Sequence, residues 1–431
     1  MTPAARLAAA IEILARIEAE RRPAAEAMAE WGRSHRFAGS KDRAAISALL
    51  YDALRRRASA GWIMGDPSAR GVLLGSLREA RGLDVDAIVA LCTGATHAPP
   101  PLSDAERQRL RDATTADAPA PIAGDFPEWL APALQAAFGD RLIAEMQALA
   151  TRAPVDLRVN TLKTTRDKAL ADLAHLNPTP TPLSPVGLRI TIGPDGRAPA
   201  LHAERAFIKG QFEVQDEASQ LATLLTGARE GEQVLDICAG AGGKTLALAA
   251  QMRGRGQIYA FDADIRRLAP IYERLERAEA RNVQVRAPKG AADPLADLAG
   301  RCDIVVVDAP CTGTGTWRRN PDAKWRIRPG ALEQRVKEQD AVLARAQPCV
   351  KAGGRLAYLT CSLLIEENED RIAGFVAANP DFQPEPIEAL CTAAGLPALT
   401  AHASPHGAGL RLSPAMTGTD GFYICVLRRT N

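Results

Sequence analysis

Val234 to Thr245 reads VLDICAGAGGKT, and this stretch decides the fold. Val234 and Leu235 form a short apolar run that ends on the acidic Asp236. A turn of little but Ala and Gly follows, and Lys244 then opens the helical pattern TLALAAQM. Strand, tight glycine turn and helix make the first unit of a nucleotide-binding α/β sheet. Small residues let the backbone approach a ligand, and the free N–H groups of the new helix face it. A Walker phosphate loop needs glycine five residues before Gly243, where Cys238 stands. A dinucleotide fingerprint needs Gly or Ala at position 245, which holds Thr245. Nucleotide phosphate is therefore disfavoured, and an adenosyl cofactor without phosphates, S-adenosylmethionine, suits the turn better. Cys238, Ala239, Gly240, Ala241, Gly242, Gly243 and Lys244 are the expected cofactor cradle.

Downstream of this turn the chain alternates regularly. Strands are expected at QVLDI from 233, QIYAFD from 257, VQVRA from 283, DIVVVD from 303 and RLAYLTC from 355, with helical stretches between them. That rhythm implies a parallel, doubly wound sheet, closed by GFYICVLRR as an antiparallel edge strand. Ligands of such sheets lie beyond the carboxyl ends of the strands. Those ends carry Asp236, Asp262, Asp308 with Pro310 and Cys311, and Thr360 with Cys361. Asp262, at the end of the second strand, is placed to accept hydrogen bonds from ribose hydroxyls.

Upstream, Leu7 to about Gly94 reads as helix. SKDRAAISALLYDALRRR puts Ile46, Leu49, Leu50 and Leu54 on one face and ends in Arg55, Arg56 and Arg57. With Arg33, His35, Arg36 and Lys41 this basic run fits either a stabilised helix end or an RNA-phosphate patch. The stretch 97–122, with PPP and DAPAPI, has the composition of a linker. Mixed helical and strand patterns from Phe126 to about Arg205 suggest a small α+β module. Domain boundaries are accordingly expected at 1–96, 97–122, 123–205 and 206–431. The chain has 431 residues, 46% of them hydrophobic and 24% charged, and a net charge of +2, so global charge does not mark a nucleic-acid binder. No pair of the eight cysteines has metal-ligand spacing, and no stretch nears the ~20 apolar residues of a membrane span. A cytoplasmic protein with neither metal nor membrane partner is expected.

Buried cysteine is usually a small hydrophobe, but Cys311 and Cys361 both end strands on the ligand rim, in PCTGTG and TCS. Two converging thiols fit a disulfide, a metal site or catalysis. A reducing compartment and the lack of a nearby histidine favour catalysis. Beside a methyl donor, a thiolate has a use on pyrimidines: adding to carbon 6 makes carbon 5 nucleophilic enough to accept a methyl group. Asp308 is placed to support the ring. Spacing alone leaves open which thiol attacks. The cluster Arg318, Arg319, Lys324, Trp325, Arg326 and Arg328, with Trp317, suits RNA phosphates and an unstacked base. The target base is then single-stranded or flipped.

These residues resemble the Sun/Fmu-type family of RNA 5-methylcytosine methyltransferases. DICAGAGGKT looks like its cofactor motif, DAPCTGTGTWRRNPDAKW like its fourth motif and YLTCSLLIEENE like its sixth. FIKGQFEVQDEASQLA, PEWL, LRVNTL and GTDGFYICVLRR are similar to further signatures, over roughly 126–429. The helical N-terminus looks like the NusB-like RNA-binding domain of the bacterial ribosomal branch. The resemblance implies a Rossmann-like class I methyltransferase sheet, preceded by an all-helical NusB-like domain and a small α+β module. It implies Cys361 as nucleophile, Cys311 as the thiol assisting release, and Asp308 reaching both the reaction centre and the cofactor. It also implies ribosomal RNA, of the small subunit, as substrate. A tRNA substrate and a non-catalytic RNA-binding assembly factor are the rival readings. Two departures stand out. Ala241 replaces the family's proline, and the adenine-contacting Asp after the third strand is missing. Pro288, Lys289 and Asp293 are the residues nearest that position.

Overall fold

The computed structural model describes residues 1–193, 198–288, 290 and 292–430. By packing, the chain divides into two units. The first is made chiefly of Met1–Ala153 and Thr316–Arg328. Helices Pro3–Glu20, Ala24–Ser34, Ser40–Arg55, Arg57–Met64, Ala69–Glu79 and Val85–Leu91 share one core. Their starts are written locally: Thr2, Ser68 and Asp84 each accept a backbone N–H of the first turn, and Pro3 follows Thr2. Ile46, Leu49, Leu50 and Leu54 of the Ser40–Arg55 helix all face that core, as their spacing requires. Each such side chain contributes roughly 1.5–3 kcal/mol on burial.

The segment 97–122, expected as a linker, carries the helix Asp104–Asp112, whose Leu110 packs with Leu102 into the same core. Leu102 and Leu110 are both buried there, and that burial anchors the segment despite its proline run. Helices Ala131–Phe138 and Leu142–Leu149, expected in the small module, also fall in this first unit.

The second unit contains two sheets. In the smaller, β1 (Val155–Val159), β2 (Thr179–Pro180), β3 (Gly187–Ile190) and β4 (Phe212–Val214) run in the order β2-β3-β1-β4, all antiparallel. β4 lies past the expected boundary at 205, yet it pairs with β1 through Leu157 opposite Val214.

The larger sheet holds β5 (Gln233–Asp236), β6 (Gln257–Ala260), β7 (Val283–Val285), β8 (Cys302–Asp308), β9 (Val350–Thr360), β10 (Phe382–Pro384), β11 (Leu410–Leu412) and β12 (Phe422–Arg429). The order is β10-β12-β9-β8-β5-β6-β7, with β11 on β12. β7, β6, β5, β8 and β9 are parallel, and β12 is antiparallel to β9. The closing strand, expected at the edge, is one place in from it, because β10 pairs along its outer side. Alternate residues enter two cores: Val234, Ile304 and Val306 on one face, Leu235, Val305 and Val307 on the other. A sheet covered on both faces needs such unbroken apolar strands. Strand order reverses between β5 and β8, which leaves a crevice at their carboxyl ends.

Candidate active site

The turn after β5 is shaped by backbone demands. Gly242 has φ +84°, and a Cβ there would lie 2.6 Å from Ile271 Cγ1, so only glycine fits. No side chain caps the helix Gly243–Gln251 that follows, which leaves its first N–H groups facing outward. Asp236 is fully buried; its Oδ2 accepts Thr245 Oγ1 at 2.7 Å, while its Oδ1 has no partner. Burial pushes its carboxyl up to about 7. Asp262 accepts the Gly240 N–H at 2.9 Å and the Asp264 N–H at 2.9 Å. Burial pushes the Cys238 thiol well up, so it serves as a small apolar wall. An uncapped helix start, an orphaned buried carboxylate oxygen and a second carboxylate at the next strand end fit an adenosyl cofactor that brings its own donors and a positive charge.

Two arginines hold this turn from outside it. Arg158 of β1 donates to Gly243 O at 2.6 Å, and Arg274 donates to Ala241 O at 2.8 Å while pairing with Glu213 of β4. Arg158 lies in the quoted LRVNTL. For Arg274 the sequence offers no marker.

β8 and β9 place the thiols. Asp308 stands opposite Leu359, so chains leaving neighbouring parallel strands carry Cys311 and Cys361 to the same spot. Their sulfurs are 3.4 Å apart, within hydrogen-bond reach and not joined in a disulfide. Gly315 N donates to Cys361 O at 2.9 Å, which ties the two loops together. The Cys361 sulfur and burial both push the Cys311 thiol well above its ordinary range. Lys244, the last residue of the expected cradle, meets Asp308 at 2.7 Å, with the Asp308 side chain one-third exposed. The structure thus brings the cofactor turn, Asp262, Asp308, Cys311 and Cys361 together along one edge of the sheet. Among the described residues no group of three or more His, Cys, Asp or Glu is arranged to hold a metal.

Other expected residues lie elsewhere. Much of the basic cluster after Cys311 is not open to phosphate: Trp317, Arg318 and Lys324 are buried within the first unit, Arg319, Trp325 and Arg326 are half-buried, and Arg328 is exposed. Asp322 there caps Ala24 N at 3.1 Å, and Trp325 Nε1 donates to Leu54 O at 2.6 Å. Arg55 of the upstream run is also buried and donates to Arg318 O; Arg57 pairs with Glu18 at 2.8 Å. Arg55 and Lys324 are thus taken up by backbone carbonyls, of Arg318 and Arg55, and Arg57 by a carboxylate. Arg33, Arg36 and Lys41 remain exposed beside Phe37, itself 73% exposed. Asp293 pairs with Arg345 at 2.7 Å and accepts Leu295 N, so it is committed to its own turn. Lys289 lies outside the described residues.

Residues 222–428 match the family described as 16S rRNA methyltransferase RsmB/F, and residues 126–195 match the ferredoxin-like domain described for RsmF/B-like methyltransferases. The ribosomal RNA small subunit methyltransferase B of Sodalis glossinidius is 34% identical over 327 residues, which cover 75% of this chain and 67% of that one. The chain belongs to the RsmB/F family. Its fold is that of an S-adenosylmethionine-dependent methyltransferase, and S-adenosylmethionine is its cofactor. Two crystal structures support the fold. That of PH0851 superposes on 99% of both chains with a TM-score of 0.74 at 24% identity. That of NSun6 from Pyrococcus horikoshii with SFG covers 71% of this chain and 99% of its own, with a TM-score of 0.60 at 22% identity. This RsmB/F chain spans about two thirds of the length of the curated relatives it matches. No helix among its described residues is long and apolar enough to cross a membrane.

Proposed function

We propose that this RsmB/F protein methylates carbon 5 of a cytosine in small-subunit ribosomal RNA, with Cys361 as nucleophile. The observation that carries the reading is the free thiol pair, 3.4 Å apart, beside the Lys244–Asp308 ion pair and the cofactor turn. The substrate class rests on the relatives' names, and the cytosine on thiol chemistry.

S-adenosylmethionine, when bound, supplies an electrophilic methyl group. The Cys361 thiolate forms the bond to carbon 6, and the displaced ring electrons make carbon 5 the methyl acceptor. Asp308, paired with Lys244, is the group assigned to hydrogen-bond the ring. Once a base takes the carbon 5 proton, the carbon 5–carbon 6 double bond re-forms and Cys361 leaves as thiolate. Cys311 is well suited to this last step. Its pKa is raised by burial and by its neighbour, so it keeps a proton to donate in a hydrogen bond to the departing sulfur.

With ribosomal RNA and cofactor, Cys311→Ala should accumulate a covalent protein–RNA complex on denaturing gels, and Cys361→Ala should form none. An adduct that depends on Cys311 instead would reverse the assignment. Methyl transfer to tRNA but not to ribosomal RNA would overturn the substrate.

A further inference from the structure

Glu367 lies six residues beyond Cys361 and has no exposure to solvent. It ends the short 3-10 turn Ile365–Glu367, and Tyr358 Oη donates to its backbone carbonyl at 2.7 Å. Its carboxylate is surrounded by donors from three segments. Oε1 accepts Thr312 N at 2.8 Å and Gln339 Nε2 at 3.0 Å; Oε2 accepts the hydroxyls of Thr312 and Ser362. Thr312 follows Cys311, and Ser362 follows Cys361. The same Gln339 nitrogen donates to Pro310 O at 2.9 Å, just before Cys311. One carboxylate therefore grips the residue after each thiol.

A buried carboxyl is costly to desolvate, and burial here pushes its pKa up. Four donors offset that cost only while both loops stay in place. Solvent-free hydrogen bonds to a carboxylate are among the strongest available. The brace thus acts through the geometry of the thiol pair, at one residue's remove from each sulfur.

We propose that Glu367 is the positioning residue that sets the distance between Cys311 and Cys361. This rests on the reading of those thiols as nucleophile and release group. The hydrogen-bond pattern makes an isosteric test possible. In Glu367→Gln, the amide oxygen keeps both N–H donors, and the new NH2 donates to the two hydroxyl oxygens, which turn to accept. The brace survives without its charge. Glu367→Ala removes it, and all four donors lose the acceptor they share.

The first measurement needs no RNA. Diamide takes two electrons and two protons from a close thiol pair, joining the sulfurs and becoming its hydrazine; mass spectrometry follows the Cys311–Cys361 crosslink. Glu367→Ala should slow crosslinking about tenfold or more and lower kcat about 100-fold, the loss typical of a ~1 Å misplacement, while KM for RNA stays unchanged. Glu367→Gln should restore most of both. Should Glu367→Ala fail to fold by circular dichroism, Gln339→Leu, which removes one donor, should slow crosslinking in the same direction. Wild-type crosslinking and turnover in folded Glu367→Ala or Gln339→Leu would overturn the proposal. An RNA adduct that persists in Cys361→Ala would instead sink the nucleophile reading, whatever the Glu367 variants do.

Discussion

Asp262 already accepts two backbone N–H groups, and a carboxylate has lone pairs left for a ribose hydroxyl. Removing it takes away the bond that holds Gly240 and the group proposed to meet the ribose. We expect Asp262→Ala to weaken S-adenosylmethionine binding by roughly 1.5–3 kcal/mol, tenfold or more in Kd by calorimetry. Unchanged affinity would remove Asp262 from the site. At this scale the sequence was legible wherever a residue closes a strand: Asp236, Asp262, Asp308, Cys311 and Cys361 all stand where period and spacing put them. Glu367 was not legible. A glutamate in an acidic run reads as solvated surface, and only folding shows that Thr312, Ser362 and Gln339 converge on it. Nor did Lys324 read correctly, since a lysine among arginines and tryptophans has the composition of an RNA contact whether it is exposed or buried.

Elements supply what single residues lack. A proline at position 241 would fix φ covalently; here a strand and a helix of the same unit hold the turn instead, through Arg158 on Gly243 O and Arg274 on Ala241 O. Ala241 is not among the residues of positive φ, which a proline ring would exclude. Arg274→Ala should raise the Kd for cofactor roughly fivefold to tenfold, the effect of about one lost charged hydrogen bond at a half-buried site. Adding Ala241→Pro to that variant should recover much of the loss, by restricting the unbound turn. If the double variant binds no better than Arg274→Ala, the arginine's role is not rigidity. The five parallel strands were readable because each is an apolar run bounded by turns. β4 and β10, three residues each, were not; β7 is as short, but it stands in the regular strand–helix alternation and they do not.

Across the whole molecule, the stretch Thr316–Arg328 follows the loop that carries Cys311 and completes the helical unit. Its Lys324 donates to Arg55 O at 3.2 Å and lies over the Trp325 ring at 4.9 Å; burial lowers its pKa to about 8. An unfolded lysine titrates near 10.4. Between these values the unfolded chain binds more protons, so stability rises with pH from about 8 to about 10.4, and the contribution is lost as pH falls through 8. The wild type should therefore gain on the order of 2–3 kcal/mol over Lys324→Met across that window, by denaturant titration. Parallel pH curves would show that Lys324 is not buried as a cation. The same stretch has a consequence for synthesis. Residues up to Ala153 leave the ribosome first, yet the side chains that close their core come only after β8. At ~5–20 residues per second the first unit waits on the order of ten seconds for its last piece. During that interval its interior is a docking site for a segment not yet made. A chain shortened to begin at Pro154 would carry the opposite burden, with Trp317 and Lys324 left without a home.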